Sequence, residues 1–330
     1  MRALVHSGTP GPDGLRIDEV PRPEIGAGDV LLEVAAAGLN RHELFQIDAH
    51  TGNDPKIVGA DAVGTVVATG VDAGQELVGR RVLVNPCLGW ADTDDVPEVP
   101  TILGGPVQGT FADYVRVPAD NIHPVPAHLS DIEAAALPLA GLTAYRALFT
   151  KGRICPGEHV VVTGATGGAG TMALIMAVAA GAEVTVITRH HSKAEQATAL
   201  GAAHVVAGAT DFDAHLHAPA DLLLDSVGAA SFPAALRAVR PGGRIISFGA
   251  TTAPDITLSL RDLFFRQISL EGTSMGSAPE FDRMLSFVTD HALMPVVHAH
   301  RPLDEAPEAF REMAAGIGFG KTVFIPRPTI

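Results

Sequence analysis

Hydrophobic positions along the chain fall into two textures. From the N-terminus to about residue 117 they form short, partly alternating runs: Arg2–Val5, Leu15–Val20, Val30–Leu39, Ala62–Ala68, Arg81–Val84 and Ala112–Val117. Gly-Pro, Asp-Gly, Gly-Asp and Gly-Arg turn chemistry separates them, so they predict strands at the close spacing of a small barrel or sandwich. Cys87 to Pro106 is rich in acids and prolines without any period, and reads as a long loop. The texture changes after Pro124-Val125-Pro126. Ser130-x-x-Glu133 has the pattern of a capping box, so a helix is expected there, broken or kinked at Pro138. From Glu158 onward the pattern alternates. Strands are expected at His159–Thr163, Glu183–Thr188, Ala203–Val206, Asp221–Ser226, Arg244–Phe248 and Ile268–Gly272, and helices at Gly170–Ala180, Ser192–Leu200 and Ser231–Val239. Near-continuous apolar strands alternating with helices predict an α/β fold with a doubly wound parallel sheet covered on both faces. A last helix at Pro279–Val288 and tail strands at Val296–Ala299 and Thr322–Ile325 complete the expectation, with a β-rich domain of 1–124 plus 275–330 and an α/β domain of 125–274.

Composition changes this picture little but excludes partners. The 330 residues carry a formal charge of −14, which disfavours nucleic acid and anionic membrane surfaces. Two cysteines, Cys87 and Cys155, supply neither a disulfide framework nor a four-cysteine zinc site. The uncharged run Val160–Ala182 is interrupted by glycines and reads as strand, turn and buried helix rather than a membrane span. The first residues lack the apolar core of a signal peptide, so a soluble cytoplasmic protein is expected.

The chemistry concentrates at Val160-Val161-Val162-Thr163-Gly164-Ala165-Thr166-Gly167-Gly168-Ala169-Gly170. A strand enters a glycine-rich turn that opens a helix, the context in which backbone N–H groups and the positive helix end hold a dinucleotide pyrophosphate. Ala165 stands where the first glycine usually sits. An NAD site usually ends the second strand with an acid for the ribose hydroxyls; here the chain reads Thr188-Arg189-His190-His191-Ser192-Lys193. Arg189 and Lys193 suit the 2′-phosphate of NADPH, with NADH the less favoured cofactor.

Along its whole length the chain resembles the medium-chain dehydrogenase/reductases, in particular their zinc-less quinone oxidoreductase-like branch. The resemblance is carried by an ordered set: Val34 to Asn40, Val58 to Val66, Gly109 to Val115, Ala140 to Tyr145, the glycine turn, Leu224 to Gly228, Arg240 to Arg244 and Gly320 to Val323. It implies a GroES-like catalytic domain joined to a Rossmann domain, and commonly a homodimer, for which Ile268–Gly272 offers an edge strand. Zinc-dependent members place ligands at positions matching Asn40, Ala60-Asp61 and Ala140, and no zinc is expected on such side chains. Of the family's structural-zinc cysteines only Cys87 remains, and Asp92, Asp94, Asp95 and Glu98 read as a solvated loop. Without a Lewis acid, reduction of a quinone or an α,β-unsaturated carbonyl by NADPH is easier than oxidation of an alcohol, because the developing charge needs only hydrogen-bond donors and a proton.

The resemblance places Asn40, His42 and Thr143 near that chemistry, His42 as a proton donor titrating near neutrality. It places Val227, Phe248, Gly249 and Ser274 on the nicotinamide side, and brings Lys321 back toward the cofactor. The His42–Asn53 loop is expected to shape the substrate pocket. Two other readings stay open: a zinc-independent alcohol or aldehyde dehydrogenase acting on a specialised metabolite, and a nucleotide-binding protein without turnover.

Overall fold

The computed structural model describes residues 1–52 and 54–327; Asn53, at the end of the expected pocket loop, lies outside them. The chain divides into two compact units, Met1–Leu139 with Gly276–Ile330, and Ala140–Met275. The first division falls fifteen residues beyond the expected 124/125 boundary, because the helix at Asp131–Ala135 belongs to the first unit. That helix lies so close to the Asp29–Gly38 strand that a Cβ on Gly38 would stand 2.2 Å from the Ala135 carbonyl oxygen.

In the first unit, Arg2–His6 pairs antiparallel with Leu15–Glu19 and with Lys56–Ile57. A larger sheet runs in the spatial order Ile122–Pro124, Arg81–Val84, Val63–Thr69, Asp29–Gly38, Lys321–Ile325, Val297–Pro302, and Tyr114–Pro118 also pairs with Asp29–Gly38. Its core gathers Leu32, Val66, Val84, Phe111, Phe310 and Phe324, with Phe111 edge-on to Phe324 at 5.1 Å. The C-terminal pieces therefore complete the N-terminal barrel: Val323 and Phe324 pair with Gly38 and Ala37.

Two expected loops in this unit contain regular structure. Arg41–Ala49 is a helix. Its start is a capping box in which Asn40 and Glu43 satisfy each other's backbone N–H groups, a signal present in the sequence as Asn-x-x-Glu. Within the acidic Cys87–Pro106 stretch, Cys87–Leu88 pairs with Thr101–Ile102. The Ala306–Ala314 helix, too short in apolar period to stand out beside its flanking Pro and Gly, buries Ala309 and Phe310.

The second unit is a six-stranded parallel sheet. The spatial order is His204–Ala207, Glu183–Thr188, His159–Thr163, Ala220–Asp225, Val239–Ser247, Ser269–Gly272, which is third, second, first, fourth, fifth and sixth in sequence. The chain order reverses beside the first strand, and in open α/β sheets that reversal is where the crevice for a ligand opens. His159–Thr163 and Glu183–Thr188 match their expected limits, the third, fourth and sixth strands shift by about one residue, and the fifth starts at Val239, five residues before the expected Arg244. The capping box at Ser130 and the break at Pro138 are both present, and the helix after Pro138 continues into a π-turn at Arg146–Lys151. Among the described residues no helix is long and apolar enough to cross a membrane.

Candidate active site

In the second unit the glycine turn does what its composition requires. Gly164 adopts φ 61°, a conformation that side chains resist, and a Cβ on Gly170 would stand 2.4 Å from the Gly164 carbonyl oxygen. Gly167 differs: the nearest atom to its would-be Cβ is 3.7 Å away, so the space above it is open for a ligand. Gly167 is also the N-cap of the Gly168–Ala179 helix and supplies no side-chain cap. The first N–H groups of that helix therefore face the turn without a side-chain acceptor, an arrangement suited to a diphosphate.

Neighbouring strand ends converge on the same edge. Asp225 is buried and accepts from Thr163 Oγ1 at 2.5 Å, Ser231 Oγ at 2.6 Å and the Gly228 N–H at 2.9 Å. It thereby ties the Ser226-Val227-Gly228 loop to the strand that feeds the glycine turn, a role sequence reading missed although Leu-Asp-Ser-Val-Gly was in view. Gly249 packs on the Ser226 backbone, with the Phe248 N–H donating to the Asp225 carbonyl at 2.9 Å. A shallow cleft runs along this edge past Gly228, Ser247, Gly249 and Gly272. Ser274 is exposed just beyond it, and Thr143 is buried on the Pro138–Tyr145 helix. On the other side, the Thr188 carbonyl accepts from the Gly208 N–H, Arg189 is exposed, and Lys193 Nζ lies 3.5 Å from Thr166 Oγ1. Burial, and after it the nearby Arg189 charge, lowers Lys193 below the usual lysine range. Two cations held beside the glycine turn in this way would be relieved by a phosphate. The residues present thus fit a dinucleotide, and a bound dinucleotide would rest on Ala165 to Gly170 with Arg189 and Lys193 at its adenosine end.

The first unit holds a second cluster, built from residues far apart in sequence. Lys321 Nζ donates to Asn40 Oδ1 and, at 3.0 Å, to Asp61 Oδ2. Asp61, fully buried, also accepts from Asn40 Nδ2 at 3.0 Å and from the Leu139 N–H at 2.8 Å. Glu43 caps the Asn40 N–H at 2.5 Å from within the same dry space. The expectation for Asn40 changes accordingly. Both ends of its amide are engaged inside the cluster, so it orients Asp61 and Lys321. Lys321, expected at the cofactor, has its ammonium committed to this cluster.

Asn40, Ala60-Asp61 and Ala140 also test the fit of a catalytic zinc. The two alanines carry no donor, both Asp61 oxygens are occupied, and an ammonium stands between Asn40 and Asp61. A divalent cation would have to displace Lys321, and the donor set does not fit one. Cys87 is buried and Cys155 exposed, neither is in a disulfide, and among the described residues neither belongs to a group of three His, Cys, Asp or Glu donors within 4.8 Å of one another.

Ionisation in the cluster follows from burial. His42 is the second residue of the Arg41–Ala49 helix, with Nε2 buried and unpartnered, and burial pulls its imidazole down to about 4, against a smaller upward pull from Asp61. It is neutral at pH 7, which corrects the expected proton donor titrating near neutrality. Burial pushes Glu43 up to about 8, Lys321 opposing and Asp61 assisting. Glu43 is therefore held protonated at pH 7. A carboxyl whose folded value lies above its unfolded value stabilises the fold fully below about pH 4, and this contribution is lost as pH rises through 8. Chemical denaturation of the wild type should therefore lose a few kcal/mol (order of magnitude) between pH 5 and pH 9, and Glu43→Gln should flatten that slope. A Glu43→Gln form with an undiminished slope would contradict the assignment.

Comparison with known proteins identifies the family. The model of the alcohol dehydrogenase GroES-like domain matches residues 26–127, and that of the zinc-binding dehydrogenase domain matches residues 168–290. The zinc-type alcohol dehydrogenase-like protein YogA of Leptosphaeria maculans is 32% identical over 341 residues, covering 94% of each chain. A solved structure of an NAD-dependent alcohol dehydrogenase is 32% identical with a TM-score of 0.93, covering 99% of this chain and 100% of that one. The acryloyl-coenzyme A reductase of Sulfurisphaera tokodaii is 26% identical over 99% of this chain and 100% of its own. The chain belongs to the medium-chain dehydrogenase/reductase superfamily and is an oxidoreductase with the GroES-like and nucleotide-binding folds of that family.

Proposed function

We propose that this chain is an NADPH-dependent reductase of the zinc-less, quinone oxidoreductase-like branch, delivering hydride to a quinone or an α,β-unsaturated carbonyl without a metal. The observation that carries the reading is the Lys321 ammonium, buried between Asn40 and Asp61 at the positions where zinc-dependent relatives would hold their metal. A bound reduced nicotinamide supplies the hydride. The protein's part is to hold the dinucleotide on the glycine turn and to meet the electron pair that collects on the acceptor oxygen. The Thr143 hydroxyl, on the same unit as that turn, is the donor proposed for that oxygen, the proton coming from water after hydride transfer. Preference for NADPH rests on Arg189 and Lys193 with no acid at the end of the Glu183–Thr188 strand. The relative named for an acryloyl thioester, itself an α,β-unsaturated acyl group, supports the activated-alkene acceptor. The relatives named as alcohol dehydrogenases support a second reading, carbonyl–alcohol interconversion by the same metal-free site. A homodimer is proposed along the exposed Ser269–Gly272 edge, beside exposed Phe264, Phe265 and Leu270.

The test is oxidation of NADPH by purified, zinc-assayed protein with a quinone, a cyclic enone and an aldehyde, and reduction of NADP by a secondary alcohol, with sedimentation giving the mass. Turnover with the quinone or enone at substoichiometric zinc is expected, and turnover confined to the alcohol–aldehyde pair would favour the second reading. In Arg189→Ala, loss of a charge-assisted hydrogen bond of ~1.5–3 kcal/mol should raise the KM for NADPH by one to two orders of magnitude and leave that for NADH nearly unchanged. Unchanged NADPH affinity would remove Arg189 from the phosphate site.

A further inference from the structure

The opposite edge of the parallel sheet carries side chains that neither the nucleotide nor the Lys321 cluster uses. Glu183 opens the second strand, His204 opens the third, and His217 lies in the segment leading to the fourth. One carboxylate oxygen, Glu183 Oε1, lies 3.0 Å from His204 Nε2 and 2.9 Å from His217 Nε2. All three atoms fall within 4.8 Å of one another, and among the described residues no other trio of His, Cys, Asp or Glu meets that condition. We propose that Glu183, His204 and His217 form a binding site for one divalent transition-metal ion of the zinc or copper class.

The distances support this in a way that a chance surface contact does not. With metal–ligand bonds of about 2.0–2.2 Å, adjacent donors in a tetrahedron or octahedron stand roughly 3 Å apart. The two measured edges already have that length, so an ion can enter with small side-chain rotations. The imidazoles are also held in place. His204 and His217 stack at 3.9 Å with an interplanar angle of 29°, and His159 supports His217 from below at 4.5 Å between ring centroids. His159 itself is not a fourth ligand: Thr185 Oγ1 lies 2.7 Å from its Nε2 and the Pro219 carbonyl 3.3 Å from its Nδ1. It is a buried wall that fixes the ring in front of it.

The donor set selects the ion. Two imidazoles and one carboxylate suit zinc, nickel or copper, whereas calcium and magnesium require oxygen-rich shells. Remaining positions open to solvent, where water completes the coordination. The three ligands come from segments at the N-terminal ends of the second, third and fourth strands in sequence, so a bound ion staples that end of the sheet together across the first strand. The glycine turn lies at the C-terminal end of His159–Thr163, so this ion would not take part in hydride transfer. The inference is independent of the reading given above for the active site.

The experiment uses chelator-treated full-length protein titrated calorimetrically with zinc chloride, beside His217→Ala and His204→Ala/His217→Ala. The wild type should take up one equivalent; His217→Ala should bind at least tenfold more weakly, and the double variant should lose the site. Zinc should raise the thermal midpoint of the wild type and not that of the double variant, while all three keep the same far-ultraviolet circular dichroism. Electron paramagnetic resonance of one added equivalent of copper(II) should show nitrogen hyperfine coupling that disappears in the double variant. Equal zinc affinity and equal copper spectra in wild type and double variant, or no binding to the wild type, would overturn the site.

Discussion

Lys321→Met should be among the most damaging single substitutions in this chain. The lysine ammonium is 4% exposed and neutralises Asp61, which is 0% exposed, so its removal leaves a buried carboxylate facing only amide donors. Breaking a buried pair from one side typically costs about 3–5 kcal/mol, a large part of the stability of most domains. Denaturant titration should show that loss, and Asp61→Asn combined with Lys321→Met should recover part of it, because the double variant has no unpaired charge. A single variant as stable as the wild type would show that the pair is not the electrostatic centre of the first unit.

The second large effect concerns two glycines three residues apart that look alike in sequence. Gly170→Ala places a Cβ 2.4 Å from the Gly164 carbonyl oxygen and 2.6 Å from the Ala165 Cα, both backbone atoms that cannot rotate aside. The turn must shift, so both thermal stability and NADPH affinity should fall, the affinity by at least tenfold, or ~1.4 kcal/mol. Gly167→Ala meets nothing nearer than 3.7 Å and should leave stability nearly unchanged. Its methyl group points into the space a diphosphate would occupy, so the affinity should still fall. Calorimetric NADPH titration beside thermal melts of the two variants separates packing from ligand approach. If Gly167→Ala bound NADPH as the wild type does, the diphosphate would not lie over that turn.

Elements differ in how openly the sequence declared them. The central Rossmann strands were legible because His159–Thr163, Glu183–Thr188 and Ala220–Asp225 are largely runs of Val, Ile or Leu buried almost throughout, and such runs have no other stable home. Arg41–Ala49 was hidden because its side chains are mostly polar and only Leu44 and Ile47 among its apolar residues are buried, so no apolar stripe marks it. Its one signal was the Asn40–Glu43 capping pair. The boundary at Leu139 was not legible at Pro124 either, since the intervening helix is claimed by contacts to a strand a hundred residues earlier in the chain. His42 shows the same limit for chemistry: a histidine two residues past a ligand position suggests a proton donor, and only its burial reveals an imidazole that stays neutral.

The sequence by itself determined the alternation of strand and helix, the glycine turn and the absence of thiolate or imidazole at the zinc-ligand positions, because each of these is local: a period, a spacing or a residue type. Only the tertiary structure decided that Asn40, Asp61 and Lys321, up to 281 positions apart, meet in one dry cluster, and that Glu183, His204 and His217 turn toward a single point. Charges so distant in the chain acquire their ionisation and their partners from the low-dielectric space that packing creates around them, and no local pattern encodes that space.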